Sequence, residues 1–189
     1  MFKDLFNTTM SIIFRPSETW RKLREKQPDD SDKFLSGYVY PFVGMIAIAG
    51  FLGILFTRKE FDLQMALKST IFLLLSVFGG FFLAAYLMNE MWHALFGREK
   101  NMRLCQTFVG YSSALMFSLD ILLSLLPEFF FLRFLILYTI YIVWEGAVPY
   151  MDVEAEEQLK FVSLSTAIIV ATPFILEFIL GLLMPGLKY

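Results

Sequence analysis

The chain predicts an all-α, polytopic membrane protein: a bundle of five transmembrane helices with an amphipathic N-terminal interfacial helical segment. Three observations predict it. Hydrophobic residues make up 57% of the 189 and charged ones only 18%, with a mean hydropathy of +0.61. A soluble domain is nearer ~45–50% apolar and ~25% charged. The charges are also clustered, leaving long uncharged runs close to the ~20 residues that a spanning helix needs. Finally, the links between runs are short (TRKEFDLQ, NEMWHALFGREKN, Pro127-Glu128 and MDVEAEEQLK) and leave no room for a separate soluble domain.

Composition also excludes several functions. A net charge of −2 offers nothing to nucleic acid. The single Cys105 rules out an internal disulfide or a thiolate zinc cluster, and the lone His93 rules out a multi-histidine metal site. No metal or cofactor is expected. No nucleophile–base pair stands out, so an enzyme is not expected either. The N-terminus is charged and broken by Pro16, which does not fit a cleavable signal peptide.

Residues 1–33 read as a cytoplasmic amphipathic segment. Phe2, Leu5, Phe6, Thr9, Ile12 and Ile13 repeat at one helical face. Pro16 ends that helix, and Ser17 and Glu18 suit the start of a second. Trp20 and Leu23 share one side of it, surrounded by Arg21, Lys22, Arg24 and Lys26. An aromatic ring among basic stems suits the lipid headgroup layer, so Trp20, Arg21, Lys22 and Arg24 are expected at the membrane interface. The plainer reading is a short helix packed on the protein's own cytoplasmic loops.

The transmembrane domain, residues 34–189, carries spans at about 34–56, 69–88, 104–126, 129–150 and 161–184. With the N-terminus inside, eleven basic residues fall on the cytoplasmic side and five on the other. The bias sets the N-terminus in the cytoplasm and the C-terminus opposite. In a prokaryote that membrane is the cytoplasmic (inner) one. Small residues at four-residue spacing mark packing faces: Ser76, Gly80 and Ala84; Gly110, Ala114 and Ser118; Ser163, Ala167 and Ala171.

The fourth span carries Arg133 near its start and Glu145 near its end, about 18 Å apart along a helix axis. Asp120 and Glu177 fall at the depth of Arg133, so three helices contribute ionisable groups to one layer. A charge in hydrocarbon costs at least ~2.5–3.5 kcal/mol, so these should face inward and find partners. Asp120, Arg133 and Glu177 together carry net −1 with both acids ionised, an imbalance that a proton or cation could offset. The plainer reading is a buried ion-pair network that fixes helix register. At the other layer, Glu90 and His93 share a helical side, and with Glu145 they form a candidate proton or cation site. His93 and Trp92 read equally as interface anchors. Pro173 is expected to kink the fifth span and free the Ile169 carbonyl beside Glu177.

The run Pro16–Ser17–Glu18–Thr19–Trp20, the five spans with tight loops and Gly110–Tyr111 in the third resemble the Yip family of Ypt- and Rab-interacting membrane proteins. The resemblance covers most of the chain, from the first helix through the fifth span. It implies a multi-pass protein with a cytoplasmic N-terminus. Eukaryotic members are linked to Rab GTPases and to vesicle traffic between endoplasmic reticulum and Golgi. This chain has only about thirty residues before its first span and lacks their longer acidic N-terminal region. It is more similar to the short prokaryotic members, a departure that weakens the expectation of Rab binding. No catalytic residues carry over.

Two functions remain. One is a non-enzymatic membrane scaffold or adaptor in membrane organisation or trafficking. Its partners are the lipid bilayer and another membrane protein or a second copy of the chain. The other is a small ion- or proton-coupled transporter or channel using Asp120, Glu145 and Glu177. A solvent-accessible cavity at those acids would favour the second, and a closed bundle the first.

Overall fold

The computed structural model describes residues 2–25, 31–57 and 63–183, and every element among them is helical. Helices α1 (Phe2–Phe14) and α2 (Pro16–Glu25) form the N-terminal segment. Pro16 stands at the first position of α2, where its missing N–H costs nothing. A short α3 (Ser31–Phe34) runs through a π-helical turn (Leu35–Val39) into α4 (Tyr40–Thr57). Next come α5 (Leu63–Phe96), α6 (Met102–Ser112) and α7 (Ala114–Leu125). A 3-10 segment (Pro127–Tyr138) passes directly into α8 (Thr139–Ala147), and α9 (Gln158–Leu183) ends the described chain.

Four of these helical stretches are long and apolar enough to cross a membrane, and a fifth is added if α6 and α7 form one broken span. The protein is therefore an integral, multi-pass membrane protein. The α6–α7 pair bends by 47° at its break. The bend falls on Ser112 and Ser113, the kind of small polar pair at which helices kink.

Helix α5 is much longer than its apolar run, because it continues through Asn89, Glu90, Trp92 and His93 to Phe96. Gly97, at φ 62°, turns the chain out of it. Asn101 then caps α6, its side-chain oxygen accepting from the Leu104 N–H at 3.0 Å.

Packing is densest where α5 meets α9 and α4. Ser76, Gly80 and Ala84 are buried along α5, as the small-residue spacing suggested. Gly80 lies against Pro173, and a Cβ there would sit 3.1 Å from the proline Cα. The stripe on α9 is different. Ser163, Ala167 and Ala171 are exposed, and the buried face runs through Phe161, Val162, Ser165, Ile169 and Thr172. Shape decides here: the grooves of α5 are already lined by small residues, so larger α9 side chains fill them.

The N-terminal helices are built into one end of the bundle. Helix α1 buries Leu5, Thr9 and Ile12 and leaves Phe2 and Phe6 exposed beside them. Helix α2 sends Trp20 into an aromatic cluster with Phe108, Tyr111 and Tyr150. Phe108 continues that cluster to Phe161, which meets Trp92 and Phe96 of α5.

Candidate intramembrane charged cavity

At the opposite end of the bundle the described helices leave a space between them. A cavity of about 420 Å³ lies where α4, α7 and α9 end and α5 begins. Gly50, Gly53 and Ile54 of α4 and Ser69, Phe72 and Leu73 of α5 form part of its wall. The remainder comes from Leu123 and Ser124 of α7 and from Pro127. Into the same cavity come Asp120 from α7, Arg133 from the 3-10 segment and Glu177 from α9. The expected layer of three ionisable residues from three helices is thus brought together.

How they meet matters more than that they meet. Asp120 lies within electrostatic reach of both Glu177 and Arg133. Yet none of the three makes a hydrogen bond or an ion pair with another side chain among the described residues. Asp120 and Glu177 are half-buried and Arg133 is exposed. The charges surround a space; they do not neutralise each other by contact. A smaller void of about 10 Å³ continues from Asp120 past Ser113 to Pro173. That is roughly the room of one water-sized sphere. Helix α9 runs unbroken through Pro173.

Gly53 explains how the wall holds. A Cβ there would run into the backbone carbonyl of Ser124, so only glycine lets α4 and α7 cross so closely. Sequence reading missed Gly53, Ser69 and Ser124 as parts of this site. The available signal was local: Ser124 lies one turn beyond Asp120, and Gly50 and Gly53 share a helical side.

The second expected cluster does not assemble. Glu90 accepts two hydrogen bonds from Lys100, at 2.5 and 2.7 Å. His93 Nδ1 lies 3.0 Å from the Arg98 carbonyl oxygen, closing the turn that ends α5. Glu145 lines a shallow groove with Tyr138, Tyr141 and Trp144. Among the described residues, no group of three or more His, Cys, Asp or Glu side chains is placed to hold a metal ion. The i, i+3 spacing put Glu90 and His93 on one side of α5, but the loop that follows supplies each with its own partner.

The interfacial placement of Trp20 is also corrected. Its side chain is fully enclosed by protein, and its Nε1–H donates to the Ile142 carbonyl oxygen at 2.9 Å. Arg24 donates to the Tyr150 carbonyl oxygen at 3.0 Å and pairs with Asp152. Arg21 and Lys22 are exposed. The aromatic residue amid basic ones therefore anchors α2 to α8, with only its outer cations left for solvent or headgroups.

Residues 10–182 match the Yip1 domain, essentially the whole chain. The chain belongs to the Yip1 domain family. No curated protein and no solved structure matches it. Membership makes this a membrane protein of the Yip type, and the match runs from α1 through α9, so cavity and aromatic cluster both lie inside the Yip1 domain.

Proposed function

We propose that this Yip-type protein is a non-enzymatic carrier that binds a small charged ligand between Asp120, Arg133 and Glu177. One observation carries the reading: three ionisable side chains with no side-chain partner among the described residues face a common space of about 420 Å³. That volume falls in the ~300–1,000 Å³ range of small-molecule sites and is far larger than a bare ion requires. A register-fixing ion-pair network would instead hold its members in direct contact, because unpaired charges in a bilayer are costly. Among the described lining residues two acids outnumber one cation, which suits coupling to a proton or cation. Neither His93 nor Cys105 lines the cavity, which supports binding over covalent chemistry.

The carrier reading sits in a bilayer with the N-terminal segment cytoplasmic, following the basic-residue bias. The cavity then opens toward the far side. Access tests both points. Ser124→Cys in a Cys105→Ala background should react quickly with a small hydrophilic thiol reagent added to the side opposite the N-terminus. Protection from the reagent on both sides would mean a closed bundle, and the carrier reading would fall.

A scaffold or adaptor role has its own support. Phe130, Phe134 and Leu137 are 72%, 78% and 66% exposed along one segment. Such a face suits lipid, another membrane protein or a second copy of the chain. Rab-type GTPase binding has no comparable support.

A further inference from the structure

The 3-10 segment that carries Arg133 packs against α7 and α8, while α9, which carries Glu177, packs against α5 and α8. Any contact between the 3-10 segment and α9 is weaker than these, although Arg133 and Glu177 line the same cavity. A ligand leaving the cavity sideways would pass between these two elements. Both elements carry exposed apolar side chains: Phe130 and Phe134 on one, Phe178 and Leu182 on the other. Exposed aromatic and aliphatic side chains on membrane-spanning elements face lipid.

Depth is the second constraint. Asp120 and Glu177 lie about 8–9 Å inside the ends of α7 and α9. On span limits of about 104–126 and 161–184 that is within the acyl-chain layer, so a lipid must draw its polar end inward to reach the acids.

Charge is the third. A guanidinium offers a planar fork of donors that matches a phosphate in two-point contact. Two carboxylates offer acceptors for a primary ammonium, which has three donors. The cavity therefore presents, side by side, complements to an anionic phosphate and to a cationic amine.

We propose that the Asp120–Arg133–Glu177 cavity binds the headgroup of a zwitterionic aminophospholipid, entering between the 3-10 segment and α9. Arg133 takes the phosphate, Asp120 and Glu177 take the primary ammonium, and the acyl chains lie along the exposed apolar side chains of the two elements. The proposal rests on reading the cavity as a binding site and names its ligand. The recognised chemistry, a phosphate two carbons from an ammonium, is shared by the free headgroup, so the test separates the two sources.

Native mass spectrometry of the full chain, released from nanodiscs of equal phosphatidylethanolamine, phosphatidylcholine and phosphatidylglycerol, reads lipid retention on folded molecules only. Phosphatidylethanolamine should be retained over phosphatidylcholine by about tenfold or more, because the quaternary amine has no N–H to donate to the acids. Asp120→Asn with Glu177→Gln should abolish that preference and shift retention toward phosphatidylglycerol, since Arg133 is left as the only charge among the described residues that line the cavity. Arg133→Lys should weaken retention, and Arg133→Gln should lose it. Equal retention of the ethanolamine and choline lipids overturns the proposal, as does a preference unchanged by the two acid substitutions. Displacement of the lipid by free phosphoethanolamine at equal concentration overturns the lipid source and leaves the carrier reading standing. Retention of no lipid, with no stabilisation by free phosphoethanolamine, ethanolamine or phosphate, overturns both.

Discussion

The indole Nε1–H of Trp20 donates to the backbone carbonyl oxygen of Ile142 at 2.9 Å, across 122 residues of sequence. Around that bond the ring stacks on Phe108 at 5.1 Å and meets the edge of Tyr111 at 6.1 Å. Just beyond it, Arg24 reaches the Tyr150 carbonyl and Asp152. The N-terminal segment is thus a structural part of one end of the bundle. A buried indole with its N–H satisfied combines a large apolar area with a directional bond, so it fixes both the distance and the rotation of α2.

Emission from Trp20 should report protein, not headgroups. The spectrum obtained by subtracting Trp20→Phe from the wild type should be blue-shifted. It should resist both aqueous iodide and lipids carrying quenchers at headgroup level. Strong quenching by those lipids would restore the interfacial placement.

Gly146 should be as demanding as Trp20 itself. A Cβ on Gly146 would come within 2.6 Å of the indole and 2.9 Å of the Phe108 ring. Gly146→Ala should therefore cost about 1–3 kcal/mol, the usual range for overpacking. Trp20→Ala should cost about 3–5 kcal/mol through the cavity it leaves. The two occupy the same space, so the double variant should be less destabilised than the sum of the singles. Additive losses in detergent melting would show the contact to be unimportant.

These residues also show where sequence reading succeeds and fails. Hydropathy reveals what lipid must cover, so the all-α, multi-pass class and the apolar stretches are legible. It is blind to helix outside the apolar run, which is why α5 extends to Leu63 and Phe96 beyond the 69–88 stretch. It also cannot see that the fourth stretch starts as a 3-10 segment, since hydrophobicity is indifferent to helical pitch. Trp20 shows the same limit: an aromatic beside cations suits a headgroup layer or a protein core equally well. The meeting of Asp120, Arg133 and Glu177 was legible because charges at one depth in a membrane have few places to go. That they would surround a cavity was not, since the space depends on how closely Gly53 lets α4 and α7 cross.

Glycine substitutions separate packing from propensity. Gly53→Ala should destabilise strongly, because its Cβ meets the Ser124 backbone, which cannot rotate away. Gly37 and Gly44 have open space at the same position. Gly44→Ala should be neutral or gain about 0.5–1 kcal/mol from the entropy that helical glycine loses. If Gly53→Ala melts with the wild type, α4 and α7 do not cross at this point.

Asp152 holds two roles that can be split. Its φ of 54° is tolerated by Asp, Asn and Gly far better than by branched residues. Its pair with Arg24 is partly solvated, with the two side chains 34% and 63% exposed, so it should contribute only about 0.2–1 kcal/mol. Asp152→Asn should therefore cost little, and that loss should shrink further in high salt. Asp152→Val should cost distinctly more and be indifferent to salt. Equal losses would mean the backbone conformation contributes nothing.

The charged cavity makes the sharpest energetic prediction. Were Arg133 buried and bonded to Asp120 and Glu177, Arg133→Leu would strand two acids and cost about 3–5 kcal/mol. In the structure Arg133 is exposed, the acids are half-buried, and the three act on one another across open space. With no direct ion pair to lose, the loss should be nearer 1 kcal/mol. Adding Asp120→Asn and Glu177→Gln should recover it, because the repulsion between the two acids disappears with their charge. Thermal unfolding of the single and triple variants in detergent measures both quantities. A loss of several kcal/mol for Arg133→Leu, restored in the triple variant, would indicate direct ion pairs and a cavity with no room for a ligand. A small loss with recovery is what charges arranged around a binding space should give.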